Sequence, residues 1–268
     1  IKDGKSDSNS SLKDILALSL MYVILMFIII YGTRVMRSVM EEKNNRVVEI
    51  IISSVKPFEL MMGKILGTTL VALTQFFIWI AMTMILLFVG QIFLGQELMM
   101  APQQNDIQNL VAYDSQVQIK DTIDTLLGLN YPLIIFVFLF FFFSGYLFYS
   151  SFFAAIGAAV DNDTETQQFM PVVVMPLLLG AYGCLTIINN PEGPVAFWLS
   201  MIPFTSPMVM VTRAFFGIPV WQLVLSMAVM IISVLCMVYI ASKIYRVGIL
   251  MYGKKVSFKE LWRWIRQS

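Results

Sequence analysis

The fold is decided by YPLIIFVFLFFFFSGYLFYSSFFAAIGAAV, residues Tyr131–Val160, a stretch without Asp, Glu, Lys or Arg. A helix needs about 20 apolar residues to cross a bilayer, and this stretch exceeds that length. Four further apolar runs accompany it, at Leu12–Gly32, Ile65–Leu94, Phe169–Ile188 and Val220–Ala241. Strands of alternating polarity, which a membrane barrel needs, are absent from the sequence. We therefore predict an all-α polytopic membrane protein with five transmembrane helices.

The composition supports this class. Hydrophobic residues make up 58% of the 268 residues, charged residues only 13%, and the mean hydropathy is +0.78. Soluble domains contain about 45–50% apolar and about 25% charged residues. The two cysteines, Cys184 and Cys236, lie inside apolar runs and are expected to be packing residues. We expect the lipid bilayer as the surroundings of the chain and no nucleic-acid partner.

The distribution of cations predicts an orientation. Segments after the first, third and fifth spans carry 13 Lys and Arg residues, against 5 on the other side. The positive-inside rule then places the C-terminus in the cytoplasm of a multi-pass inner (plasma) membrane protein. We expect a flexible outer segment at 1–11, a transmembrane domain at 12–243 with an outer loop at 95–130, and a basic cytoplasmic tail at 244–268.

A charged segment follows the first span and reads EEKNNRVVEIIISSVKPFELMMGKILG, residues Glu41–Gly67. At 3.6 residues per turn its polar side chains fall on one stripe and its valines and Ile51 on the opposite side. Pro57 ends the pattern. We predict a cytoplasmic amphipathic helix at 38–56 that docks a partner.

The apolar segment 191–219 contains five prolines and Arg213. A sixth crossing here would place the cationic tail outside. We therefore predict an outer re-entrant helical hairpin, which is tolerated where its backbone is buried in protein.

Two sequence features of the third and fourth spans predict local structure. The aromatic run Phe136–Phe143 is predicted to face lipid, whereas the small and polar residues after it suit a helix interface or a substrate path. The acidic stretch Asp161–Thr166 is predicted to be an inner turn in which Asp163 or Thr164 caps the next helix. We prefer this solvated turn to a metal site.

Enzyme chemistry is not predicted. The sequence contains no GxxxxGK[ST] phosphate loop and no histidine. Glu41, Glu42 and Arg46 have the EExxxR form of a family of intramembrane proteases, but those enzymes also need histidines, so we expect only a surface pair here. No Asp, Glu, Lys or Arg lies deep inside a span, which disfavours an ion-driven carrier. The energy should come from a partner.

Three segments together resemble the ABC-2 type transporter permease family, and more narrowly its NatB-like branch. They are Glu41–Gly67, already quoted, AAIGAAVDNDTETQQFMPVVVMP at Ala154–Pro176, and IPFTSPMVMVTRAFFG at Ile202–Gly217. The resemblance covers nearly the whole chain from Leu12. Members of the family have six spans, so we expect this chain to be the C-terminal part of a longer subunit that lacks the first helix and most of an outer domain.

The resemblance implies the permease subunit of a dimeric ATP-driven exporter that uses alternating access. Two cytoplasmic ATPase subunits would bind ATP and Mg, so no cofactor is expected in this chain. The residues expected to act are Glu42, Arg46, Glu49, Ile50 and Ser53 in coupling to the ATPase, Pro203, Pro207 and Arg213 in the outer gate hairpin, and Thr68, Gln75, Ser144 and Tyr149 in a substrate path. The substrate stays open among sodium, drugs, lipids, peptides and glycans. The alternative is a non-transporting mechanical relay between a cytoplasmic ATPase and envelope partners.

Overall fold

The computed structural model describes residues 3–45, 54–100 and 127–251. Within them lie seven helices: α1 (Asp3–Asn44), α2 (Pro57–Met100), α3 (Tyr131–Ala159), α4 (Asp163–Asn189), α5 (Pro194–Met201), α6 (Ser206–Arg213) and α7 (Val220–Gly248). These described residues contain no strand. Five of the helices, α1, α2, α3, α4 and α7, are long and apolar enough to cross a membrane. The predicted all-α polytopic class with five spans is confirmed.

The helices extend further than the apolar runs. α1 begins at Asp3 and ends at Asn44, so residues 3–11 are helical where a flexible segment was expected, and residues 38–44 continue the first span rather than start a separate helix. Lengthening a helix adds a hydrogen bond for each residue without a new nucleation step, which favours continuation. α2 likewise includes residues 95–100 of the expected outer loop.

The described residues form two compact units. One unit, called the main unit here, holds residues 14–69 and 130–251. The other holds residues 3–13, 70–100 and 127–129. Every site described below lies within the main unit.

The centre of the main unit is α3, which packs against α4, α6 and α7. Its side chains Phe138, Phe141 and Phe142 are buried, and the Phe142 ring lies 5.6 Å from the ring of Phe27 on α1. Phe136 is half exposed. The expectation that the whole aromatic run faces lipid is therefore wrong. Apolar character does not separate a lipid-facing side chain from a protein-facing one, since both surroundings are apolar and packing decides between them.

Helix backbones approach closely at the C-terminal end of α3. A Cβ added to Gly157 would lie 2.5 Å from the carbonyl oxygen of Met36 on α1. A Cβ added to Gly248 would lie 2.8 Å from the carbonyl oxygen of Ala158. Small residues permit such contact between membrane helices. The ends of α1, α3 and α7 therefore converge here.

The two eight-residue helices α5 and α6 form a hairpin between α4 and α7. A Cβ added to Gly180 of α4 would lie 3.2 Å from the Thr205 Cα, and one added to Gly145 of α3 would lie 2.7 Å from the Pro207 Cβ. Gly180 precedes the end of α4 by nine residues, which is about 14 Å of helix. The hairpin therefore packs against α3 and α4 within the length of these spans, and its entry from the outer side of the membrane stays a prediction.

Candidate functional site

Two polar clusters lie at opposite ends of the main unit. The first, called the α3-end cluster, contains Lys43 and Asp161 and joins α1 to the α3–α4 turn. The second, called the hairpin cluster, contains Ser200, Arg213 and Gln222 and joins the hairpin to α7.

Lys43 organises the α3-end cluster. Its side chain is only 1% exposed, and its Nζ donates to the carbonyl oxygens of Ala158 at 2.9 Å and Val160 at 3.4 Å. The same Nζ lies 2.7 Å from Asp161 Oδ1. The last carbonyls of a helix have no partner within the helix, and the helix dipole favours a cation beside them. Lys43 thus caps α3 from the end of α1.

The turn after α3 is closed by reciprocal side-chain contacts. Asn162 Oδ1 accepts from the Glu165 N–H at 2.8 Å, and Glu165 Oε2 accepts from the Asp161 N–H at 3.3 Å. The arrangement is a variant of the capping box in which Glu165 accepts from the residue before the N-cap. The N-cap of α4 is Asn162, so the prediction of Asp163 or Thr164 was wrong by one or two positions, because the helix already begins at Asp163.

Glu42 is the one predicted coupling residue within the described part of the chain. Its carboxylate lies 2.6 Å from the Nζ of Lys64 on α2, and that Nζ also donates to the Ser38 carbonyl and hydroxyl at 3.1 Å. Arg46, Glu49, Ile50 and Ser53 lie outside the described residues. Glu42 is therefore held within the chain, where the sequence indicated a free docking face.

The two ion pairs lie on both sides of segment 46–53, which carries the other predicted coupling residues. Lys43 fixes the residues before that segment to the end of α3. Lys64 fixes the start of α2, after the segment, to Glu42 and Ser38 of α1. The described residues on either side of that segment are therefore bound to the ends of α1, α2 and α3.

Arg213 organises the hairpin cluster and is fully buried. Its Nε donates to the Pro191 carbonyl at 2.9 Å, and its two terminal nitrogens donate to Ser200 Oγ and Gln222 Oε1, each at 2.7 Å. Burial lowers the pKa of Arg213, and the charge of Glu192 opposes that shift. An arginine keeps its proton in proteins, so these donors stay available.

The tip of the hairpin contacts α3. The hydroxyl of Tyr149, which is fully buried, donates to the Phe204 carbonyl at 2.5 Å. Pro207 is buried against Gly145, and Pro203 is half-buried in the turn. The predicted gate residues Pro203 and Pro207 thus lie beside α3, whereas Arg213 holds the other end of the hairpin.

The predicted path residues do not line one surface. Ser144 lies in an open apolar groove of about 420 Å³ between α3 and α7, while Tyr149 faces the hairpin. Thr68 is half-buried near the Tyr146 hydroxyl. Gln75 belongs to the other compact unit.

Sequence reasoning missed the pairing of Lys43 with Asp161. A signal for Lys43 existed, since it follows the buried residues Met36, Val39 and Met40 at helical spacing and so lies on the buried stripe of α1.

The five long apolar helices define a polytopic helical membrane protein. Residues 2–243 match the family model described as "ABC-2 family transporter protein". The chain therefore belongs to the ABC-2 transporter family, a family of membrane transport components. The NatB-like branch stays a prediction.

Two relatives are similar over most of this chain. The uncharacterized protein YhaP of Bacillus subtilis (strain 168) is 27% identical over 243 residues, which cover 90% of this chain and 53% of YhaP. The uncharacterized protein MJ1024 of Methanocaldococcus jannaschii is 25% identical over 256 residues, which cover 95% of this chain and 55% of MJ1024. The chain thus spans about half the length of these relatives. No solved structure matches it.

Proposed function

We propose that the chain is the membrane-spanning permease part of an ATP-driven exporter, powered by cytoplasmic ATPase subunits that bind ATP and Mg. Membership of the ABC-2 family supports the permease role. The proposal includes a second permease copy or homologue, an inner-membrane location and a cytoplasmic C-terminus. It leaves the substrate class open.

One observation carries the coupling part of the proposal: ion pairs flank segment 46–53 on both sides. An ATPase subunit that docks there would move α1, α2 and α3 together rather than a free loop. Lys43 binds backbone carbonyl oxygens of α3, so the force would act on the helix itself and not on a flexible side chain.

The same helix leads to the proposed gate. α3 is bound by Lys43 near Ala158 and contacts the hairpin at Tyr149 and Gly145. Movement of α3 would then displace the hairpin tip that it contacts. The Arg213 contacts would keep the hairpin base attached to α7 during this movement.

The test separates docking from folding. Glu49→Lys reverses a charge in the proposed docking segment, and Glu59→Lys makes the same reversal at an exposed position in the first turn of α2. Loss of one partner of a buried interfacial charge pair costs about 2–5 kcal/mol, whereas an exposed charge contributes about 0–1 kcal/mol. Chain purified from native membranes should carry vanadate-sensitive ATP hydrolysis. Glu49→Lys should reduce that hydrolysis at least tenfold, at unchanged chain yield, and Glu59→Lys should not.

Two results would contradict the proposal. One is equal hydrolysis with Glu49→Lys and with the unaltered chain. The other is robust hydrolysis by the chain expressed and purified without any ATPase subunit.

One observation favours the mechanical relay as a second candidate: Thr68, Ser144 and Tyr149 do not line a common surface in the main unit. An exporter should expose Thr68→Cys to a water-soluble thiol reagent during ATP turnover. A relay should leave that cysteine unlabelled in every nucleotide state while ATP hydrolysis continues.

A further inference from the structure

A cationic groove lies between the first residues of α2 and the last turns of α7. It has a volume of about 610 Å³ and is lined by Lys56, Phe58, Tyr239, Lys243 and Arg246, among others. Among the described residues that line it, three are cations and none is acidic. The described acidic residue nearest in sequence, Glu59, does not line the groove.

The cations converge because of helix geometry. Tyr239, Lys243 and Arg246 are spaced four and three residues apart on α7, so they share one face of that helix. Lys243 Nζ lies 5.0 Å from the centroid of the Tyr239 ring, and the attraction between a cation and the face of an aromatic ring favours this position of the ammonium group. Lys56 adds the third charge from the turn before α2. The groove is thus built from two separate segments of the chain.

The position of the groove indicates the class of ligand that it would bind. It lies where the candidate span of α2 begins and that of α7 ends, at the border between the apolar spans and water. Leu235, one turn further into α7 from Tyr239, and Leu66, on α2, are both exposed. Exposed apolar side chains are therefore present on both helices further along the spans from the cations.

We propose that this groove binds the headgroup of an anionic phospholipid, with the acyl chains along the exposed surfaces of α2 and α7. A phosphate group supplies the negative oxygens that Lys and Arg bind. Basic pockets between transmembrane helices at the membrane surface suit such headgroups. The site does not depend on the direction of transport or on the ATPase.

Retention of lipid by the purified chain tests the site. The chain is taken from micelles that contain phosphatidylglycerol and phosphatidylcholine, and bound lipid is measured by native mass spectrometry. Phosphatidylglycerol should be retained in preference to phosphatidylcholine. Each surface cation contributes about fivefold in affinity, so the pair Lys243→Gln and Arg246→Gln should weaken retention about 25-fold.

The chain offers a matched control on α1. Arg34 lies 5.0 Å from the centroid of the Tyr31 ring, and Arg34 and Arg37 are both exposed. They are three residues apart, which is also the spacing of Lys243 and Arg246. The pair Arg34→Gln and Arg37→Gln removes the same charge away from the groove, and should change retention less than twofold. Lys243→Arg, which keeps the charge, should retain the lipid.

Four results would overturn the proposal. The first is an equal loss of phosphatidylglycerol from the α1 pair Arg34→Gln and Arg37→Gln and from the groove pair. The second is equal retention of phosphatidylglycerol and phosphatidylcholine by the unaltered chain. The third is displacement of phosphatidylglycerol by inorganic phosphate, which would indicate a site for a soluble anion. The fourth is loss of a co-purified protein subunit, with lipid retention unchanged, in the Lys243→Gln and Arg246→Gln chain. That result would assign the groove to an acidic protein partner.

Discussion

Lys43→Met and Asp161→Asn separate the two halves of the α3-end cluster. Methionine nearly matches the length of lysine, so Lys43→Met removes the charge and the donated bonds while it leaves little cavity. Asparagine keeps an acceptor oxygen at position 161 but removes its charge. The two singles and the double variant together form a double-mutant cycle.

The structure sets the magnitudes. Lys43 is 1% exposed, so Asp161→Asn leaves a buried ammonium group that faces only uncharged acceptors. Breaking a buried pair costs about 3–5 kcal/mol; Asp161 is 22% exposed, and this lowers the expected loss of unfolding free energy to about 2 kcal/mol. Lys43→Met leaves a carboxylate that water can reach and two carbonyls without a donor, at a cost of about 1–3 kcal/mol.

The double variant distinguishes a coupled buried pair from two independent losses of stability. It contains neither charge, so we expect its unfolding free energy to lie at most about 0.5 kcal/mol below that of Lys43→Met. The coupling energy between the two positions should then be about 1–2 kcal/mol. Equilibrium unfolding in mixed detergent micelles, followed by tryptophan fluorescence, measures all three variants. Arg37→Met, on the exposed side of α1, is the control and should stay within about 0.5 kcal/mol of the unaltered chain. Strictly additive losses would refute the buried pair.

Three further predictions use simpler variants. Arg213→Lys keeps the charge, but its single ammonium nitrogen cannot occupy the positions of the three guanidinium nitrogens that donate here, so we expect a loss of about 2–3 kcal/mol in the same unfolding assay; an unchanged midpoint would contradict the hairpin cluster. Gly157→Ala forces a Cβ against a backbone oxygen and should cost about 1–3 kcal/mol, whereas Gly67→Ala meets nothing within 4 Å and should be neutral or stabilising by up to about 1 kcal/mol; equal effects would argue against the close helix contact. In a cysteine-free chain, an impermeant thiol reagent applied outside the cell should label a cysteine at Glu192 but not at Asn44, and the reverse result would invert the proposed orientation.

The number of spans could be read from the sequence because apolar length is a local property. The start of α3 at Tyr131 could be predicted as well, since Asn130 caps the helix through the Leu133 N–H and Pro132 suits its first turn. The ends of the helices were harder to predict from the sequence. α1 continues past Gly32 through charged residues, because polar side chains beyond the apolar core do not oppose a helix that already exists.

The polar contacts of the site were beyond local reasoning. Lys43 and Asp161 are far apart in the chain, and their pairing depends on how α1 packs against α3. Arg213 was identified as a hairpin residue, but its three acceptors come from the end of α4, α5 and α7. Glu42 was placed on the docking face by its spacing and given its role by the family resemblance, and neither can reveal that Lys64 lies 2.6 Å away.

The close contacts along α3 bear on how the proposed coupling works. A helix transmits displacement only if its neighbours do not absorb it, and packed interiors are poorly compressible. At one end of α3, Gly157 contacts the Met36 backbone of α1, so the two helices cannot slide closer together without a clash. Further along, the Tyr149 hydroxyl is bound to a backbone carbonyl of the hairpin turn. Both connections therefore reach backbone rather than side-chain ends. Under the proposed function, α3 is a rigid element between segment 46–53 and the hairpin, and loosening either connection should uncouple ATP hydrolysis from transport without abolishing the hydrolysis.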